Sequence, residues 1–84
     1  MMVPMVHLNG TSKDELVRLN VNAGCAVLTA IAALGEACPN GRDFYKLGPD
    51  AMTRAVAEHD ARVAKLREVH AELTALVDAL DQGR

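Results

Sequence analysis

One stretch of the sequence, residues 21–35, is apolar or small on nearly every side when it is wound as an α-helix. Such residues form two stripes at helical spacing, which begin shortly before this stretch and run through it. The first stripe is Leu16, Ala23, Val27, Ile31 and Leu34, and the second is Val17, Val21, Leu28, Ala32 and Gly35. A helix that is apolar all round is normally buried all round, and one neighbouring helix covers only one side of it. The stretch therefore predicts a helical bundle in which this helix lies inside.

A second helical segment carries one continuous apolar stripe. Its members alternate at steps of four and three residues: Met52, Val56, His59, Val63, Leu66, His70, Leu73, Val77 and Leu80. This heptad spacing over four repeats is typical of a long helix that packs along one seam.

The boundaries follow from capping and helix-breaking residues. Ser12 with Glu15 forms a capping-box pattern that begins a helix, and the Pro-Asn-Gly sequence at 39–41 ends it. We expect one domain over 1–84, with an N-terminal arm (1–11), a first helix (12–37), a connecting loop (38–49) and a second helix (50–81). The predicted fold is all-α, an antiparallel helical hairpin with a short extended N-terminal arm. Because 84 residues barely support a core, we expect the hairpin to assemble into a homo-oligomeric helical bundle.

Charge and composition exclude several classes of protein. Nine basic and eleven acidic residues give a net charge of −2, which argues against binding to a nucleic-acid duplex. No basic segment precedes an apolar run as in a secretory signal, and the uncharged run 19–35 is interrupted by polar residues, so we expect no membrane span. The expected location is the cytosol, where Cys25 and Cys38 remain thiols because their spacing places them about 20 Å apart on a helix.

The connecting loop is the first candidate site. It holds both aromatic residues of the chain together with two cations, in the run Arg42, Asp43, Phe44, Tyr45 and Lys46. Aromatic rings stack on planar bases and cations pair with phosphates, so this composition fits an anionic, nucleotide-like ligand. The alternative is structural: the two rings close the open end of the hairpin while Arg42 pairs with Asp43.

A second candidate patch precedes the first helix and comprises His7, Asn9, Gly10 and Thr11. Free N–H groups at a helix N-terminus favour an anion, although capping alone accounts for Ser12 and Glu15. This patch and the loop lie at opposite ends of the first helix, about 39 Å apart. A shared site would therefore form between subunits, and His59 is the histidine that we expect to reach a ligand at the loop.

Nothing in the sequence indicates catalysis or a cofactor. There is no nucleophile elbow, no pair of carboxylates on an apolar face and no cluster with metal-ligand spacing. His59 and His70 are about 16 Å apart on one helix and cannot share a metal ion. We therefore expect a binding protein rather than an enzyme.

Three phrases carry a resemblance: HLNGTS at 7–12, PNGRDFY at 39–45, and the GPDA…EH run at 48–59. Over residues 7 to about 69 the chain resembles a group of small bacteriophage and prophage proteins, which more usually have tyrosine where Phe44 stands. The resemblance implies a phage origin. The chain is also similar, in size and helical-hairpin character, to multimeric phage sponge proteins that sequester cyclic-nucleotide immune signals without chemistry. The alternative function is a helical protein–protein interaction module, either an inhibitor of a host protein or a virion accessory protein.

Overall fold

The computed structural model describes residues 1–82 and is helical throughout its ordered elements. Its elements are α1 (Lys13–Glu36), α2 (Gly41–Phe44), a 3₁₀ turn (Tyr45–Leu47) and α3 (Ala51–Gln82). Residues 1–82 contain no strand, which confirms the all-α prediction. Each long helix begins one residue later than predicted, and α1 ends one residue earlier.

The two long helices run side by side in opposite directions. The Lys13 ammonium donates a hydrogen bond to the main-chain oxygen of Asp81 at 3.3 Å, so the first turn of α1 lies beside the last turn of α3. Near the middle of α1, the Cα of Gly24 faces the ring of His70. The result is an elongated body with extents of 61 × 19 × 17 Å.

The seam between the helices follows the predicted heptad stripe. All nine members of that stripe on α3 are at least half-buried, and His59 and Leu80 are the most buried, with 7% and 2% of their surface exposed. On α1, Leu16, Val27, Ile31 and Leu34 face the seam as predicted. Gly24 faces it as well, instead of the predicted Ala23. Gly24 is buried and Ala23 is exposed, because the stripe on α1 advances in steps of four from Leu16 through Asn20 to Gly24.

The second predicted stripe of α1 is not covered within one chain. Val17 is half-buried, whereas Val21, Leu28, Ala32 and Gly35 are exposed. A two-helix hairpin has a single seam, so this stripe, which flanks the seam on α1, stays uncovered. The oligomer expected from the sequence therefore stays a prediction.

The connector is more ordered than a plain loop. Asn40 caps α2 by accepting a hydrogen bond from the Asp43 N–H, and the 3₁₀ turn follows directly. Gly48, with φ of 107°, then redirects the chain into α3, a conformation that glycine adopts without the strain that a Cβ would cause.

Candidate functional site

The N-terminal candidate patch contains a tight turn. The Gly10 N–H donates to the main-chain oxygen of His7 at 3.2 Å, and the imidazole of His7 folds over Gly10. A Cβ at position 10 would lie 2.7 Å from His7 Nε2, so the ring occupies the space that only glycine leaves free. His7 and Gly10 thus have a local structural role, while His7, Asn9 and Thr11 are exposed.

At the start of α1, one of the two hydrogen bonds of the predicted capping box is formed. Ser12 Oγ accepts from the Glu15 N–H at 3.1 Å, but the Glu15 carboxylate turns away from Ser12. It accepts from both Arg18 Nε, at 3.1 Å, and Arg18 Nη2. The hydrogen bond to Arg18 lowers the pKa of Glu15, with a further coulombic contribution from the same guanidinium, and it raises the pKa of Arg18.

In the connector, Asp43 is held by Asn40 rather than by Arg42. Asn40 Oδ1 accepts from the Asp43 N–H at 3.3 Å, and Asn40 Nδ2 donates to Asp43 Oδ2 at 3.0 Å. Within residues 1–82 the ion pair at the helix surface is Arg18–Glu15, and no pair joins Arg42 to Asp43. The Arg42–Asp43 pairing weighed in the sequence analysis is therefore absent, and the exposed Arg42 side chain points to solvent without that partner.

The two aromatic residues have different environments. Phe44 is half-buried and lines a shallow depression of about 180 Å³ beside the first turns of α3, with Leu47, Ala51, Arg54, Ala55 and Glu58. Tyr45 is 71% exposed, and the Lys46 ammonium lies 5.7 Å from the centre of its ring. Phe44 thus anchors the connector on α3, as the structural alternative expects, while Tyr45 and Lys46 present a ring and a cation to solvent.

His59 belongs to the seam and not to the loop surface. Only 7% of its surface is exposed, because it occupies a heptad position of α3 that faces α1. A ligand held by Tyr45 and Lys46 would not meet this ring without opening the seam. We therefore leave His59 out of the proposed ligand contacts.

The two remaining sets of candidate residues do not meet within one chain. Residues 7–11 lie at the end of the hairpin where Lys13 contacts Asp81, and residues 42–46 lie at the other end, where α3 begins. The antiparallel pairing of α1 and α3 separates them by the length of α1, as the sequence predicts.

A further surface feature is a groove of about 190 Å³ along the hairpin, which sequence reasoning missed. It is lined mainly by apolar atoms from Val21, Gly24, Cys25 and Leu28 of α1 and from His70, Leu73 and Val77 of α3, with Asn20, Thr74 and Asp78 at its margins. Gly24 opens it by contributing no side chain. The signal in the sequence was Gly24, one of two glycines in α1.

Two chemical properties complete the description. Residues 1–82 contain no group of three or more His, Cys, Asp or Glu side chains placed to hold a metal ion, and both thiols are free and exposed. By length and composition, α1 is apolar enough to cross a membrane, with a mean hydropathy of 1.5 over its most apolar window. A mostly buried core helix of a soluble protein and a signal sequence meet the same criterion, and 6% of this window is buried within the hairpin.

Comparisons of the chain with protein-family models, curated proteins and solved structures find no match.

Proposed function

We propose that this chain is a homo-oligomeric helical-hairpin protein of phage origin that binds a small anionic, nucleotide-like ligand at subunit interfaces, without catalysis. The observation that carries the proposal is the state of the connector. Asn40, rather than Arg42, binds Asp43, so Arg42 is exposed without that partner, and in the same short segment the Lys46 ammonium lies 5.7 Å from the centre of the exposed Tyr45 ring.

This arrangement suits a ligand that combines a planar base with phosphates. The exposed face of Tyr45 offers a stacking surface for the base. Arg42 provides a planar fork of donors for a phosphate, and Lys46 adds a second positive charge. Phe44 packs the connector against α3, so the side chains of Arg42, Tyr45 and Lys46 project from an anchored segment.

Residues at the N-terminal end of a neighbouring subunit would complete the site. Asn9 and Thr11 supply an amide and a hydroxyl, Gly10 supplies main-chain groups, and His7 contributes a ring with hydrogen-bonding nitrogens. Cyclic di- and trinucleotides, which carry several phosphates and bases, match a site built from two chains. Their sequestration would give the protein an anti-defence role in the host cytosol.

We place the protein in the cytosol although α1 meets the length criterion for a membrane span. One side of α1 packs on the heptad stripe of α3, and the opposite side of α3 exposes charged residues such as Arg54, Glu58, Arg62 and Lys65. Insertion of α1 into lipid would strip it from α3 and leave that stripe without a partner.

The ultraviolet spectrum and a ligand panel test the proposal. With one tyrosine and no tryptophan, the protein absorbs little at 280 nm, so a bound nucleotide would dominate its spectrum. A panel of cyclic di- and trinucleotides should include one that raises the melting temperature and binds in calorimetry. Arg42→Ala and Tyr45→Ala should each weaken that binding at least tenfold without changing the oligomer, whereas Arg62→Ala, an exposed cation on α3, should bind as the wild type does. No thermal shift with any member of the panel would overturn the proposal.

The second candidate is the helical protein–protein interaction module, and the exposed apolar side of α1 favours it. Val21 and Leu28, which share one side of α1, expose 44% and 49% of their surface. The heptad stripe of α3 is occupied by α1, so a host or virion protein would have to bind α1. A stable one-to-one complex with such a protein that involves Leu28 but tolerates Arg42→Ala would favour this candidate over ligand binding.

A further inference from the structure

We propose that a second copy of this chain packs antiparallel against the outer face of α1, which we define as Val17, Val21, Cys25, Leu28 and Ala32, on a two-fold axis beside Cys25. The arrangement brings residues 7–11 of one copy to residues 38–46 of the other. This last point rests on the function proposed above, whereas the interface itself does not.

The first argument is the amount of surface that the single chain exposes. Its accessible surface is 6361 Å². A compact folded monomer of 9.0 kDa exposes about 4,900 Å², so the hairpin carries an excess of roughly 1,500 Å². One partner contributes about 800 Å² to an interface of standard size. The excess therefore exceeds one partner's share of such an interface, and part of it belongs to the N-terminal arm, where Met2 and Leu8 are 91% and 98% exposed.

The second argument is the lack of a core. Of the side chains in residues 1–82, those of Leu80 and His59 are buried, and the remaining members of the seam are half-buried. A chain in which half of the residues are apolar gains little from so small an interior. A second α1 placed on the outer face would enclose the seam from the side that α3 leaves open.

The outer face has the shape that such a neighbour needs. Val21 and Leu28 stand 44% and 49% exposed at the rim of the 190 Å³ groove, whose floor is Gly24 and the edge of His70. Cys25 and Ala32 are small, so two helices can approach closely at this face. The groove can then receive an aliphatic side chain from the other copy.

Charge favours antiparallel over parallel packing, with Arg18 already bound through Nε and Nη2 to Glu15 of its own chain. Arg18 lies toward the N-terminal end of the outer face, and Glu36 ends α1 on the same side. Parallel packing would place Arg18 opposite its own copy, whereas antiparallel packing brings it within about one turn of Glu36 from the other chain. Antiparallel helix dipoles also attract each other. With the axis beside Cys25, Val21 of one copy faces Leu28 of the other.

The same axis pairs the ends of the two hairpins. Position 12 of one chain corresponds to position 38 of the other, so the His7–Gly10 turn of one copy and the connector of the other lie at the same end of the dimer. The two candidate patches, which a single chain separates, then form one composite site at each end of the dimer.

Cross-linking through the native thiols tests the axis. A short bismaleimide should join two copies through Cys25, and Cys38→Ser should cross-link as the wild type does. Cys25→Ser should lose the cross-link, because antiparallel packing separates the two Cys38 residues by roughly 39 Å. Efficient cross-linking through Cys38 in the Cys25→Ser variant would indicate parallel packing and overturn the proposal.

Light scattering at micromolar concentration tests the interface. The wild type should have at least twice the mass of one chain, and Leu28→Lys should shift it to a monomer. Val69→Lys, at a comparably exposed site on α3 (44% against 49%), should leave the mass unchanged. Circular dichroism checks that the Leu28→Lys variant stays helical. If that variant unfolds, the mass of the wild type and its cross-linking through Cys25 test the interface instead. A wild-type monomer would overturn the interface. A cross-linked dimer that binds no cyclic nucleotide would keep the interface and overturn the proposed function.

Discussion

The side chain of Asn40 holds Asp43 at two points, accepting from its N–H at 3.3 Å and donating to its carboxylate at 3.0 Å. This reciprocal contact shapes the turn that begins α2. It also turns the Asp43 carboxylate away from the neighbouring Arg42, which leaves one more positive charge at the surface of the connector.

Asn40→Ala is therefore expected to loosen the connector with little effect on the long helices. It removes both side-chain contacts to Asp43 and leaves the Asp43 N–H with its main-chain bond to the Asn40 oxygen at 3.2 Å, so the amide should exchange with solvent several-fold faster in NMR hydrogen-exchange measurements. The cost to global stability should stay below about 1 kcal/mol, since α2 has four residues. Asp43→Asn, which retains the N–H bond to Asn40, is the control and should keep its amide protected. Unchanged exchange in Asn40→Ala would show that the turn does not depend on this contact.

Substitutions of the two aromatic residues should change the free energy of unfolding by different amounts. Phe44→Ala loses a half-buried ring against α3 and should lower the free energy of unfolding by about 1–2 kcal/mol in a denaturant titration. Tyr45→Ala removes a ring that is 71% exposed and should change it by less than about 0.5 kcal/mol. If Tyr45→Ala costs as much as Phe44→Ala, then both rings close the hairpin and Tyr45 is not held ready for a ligand.

Gly24→Ala should stabilise the protein. Its Cβ would lie 3.7 Å from His70 Cδ2, an ordinary contact, while the loss of a helical glycine reduces the entropy of the unfolded chain. We expect a gain of about 0.5–1 kcal/mol in thermal or chemical unfolding. Gly35→Ala, which meets nothing within 4 Å, is the matched control and should gain a similar amount. Gly24→Leu should instead lose about 1–3 kcal/mol, because the longer side chain meets the His70 ring; a gain in that variant would contradict the packing.

The Glu15–Arg18 pair should be visible in an acid titration. Its hydrogen bond lowers the pKa of Glu15, so the contribution of the pair to stability is fully present above the ordinary carboxyl pKa. That contribution is lost as pH falls through the lowered value. NMR titration of the Glu15 side chain should show a pKa below the ordinary value, and Arg18→Gln should return it toward that value.

Arg18→Lys is the matched control for this titration, because it keeps the charge without the paired donors of a guanidinium. It should give an intermediate pKa, and high salt should reduce the shift in the wild type since the pair is exposed. A Glu15 pKa that does not respond to Arg18→Gln would show that the pair is not formed in solution.

Most of the fold could be predicted from local patterns. Ser12 marks where α1 begins, because a short polar side chain satisfies the free N–H groups of a first turn. Asn40 was interpreted only as part of a helix stop, and the structure shows that it also caps α2. The 4,3 spacing on α3 selects the side that packs, since a helix brings those positions onto one stripe.

The hydrogen-bond partners within the candidate sites could not be predicted, because the sequence does not indicate which of several neighbours a side chain binds. Glu15 had two partners within reach, Ser12 and Arg18, and Asp43 likewise had Asn40 and Arg42. The choice in each case depends on side-chain geometry rather than on spacing. The folding of the His7 ring over Gly10 had no pattern to predict it, since it depends on a turn outside any helix.

The sequence by itself determined two long helices, the seam side of α3 and the separation of the two candidate patches, because periodicity and capping are local properties of the chain. Only the tertiary structure decided that Gly24 rather than Ala23 enters the seam and that the outer face of α1 is left open. These outcomes depend on which side of one helix meets the other, and that is set by how two surfaces fit together.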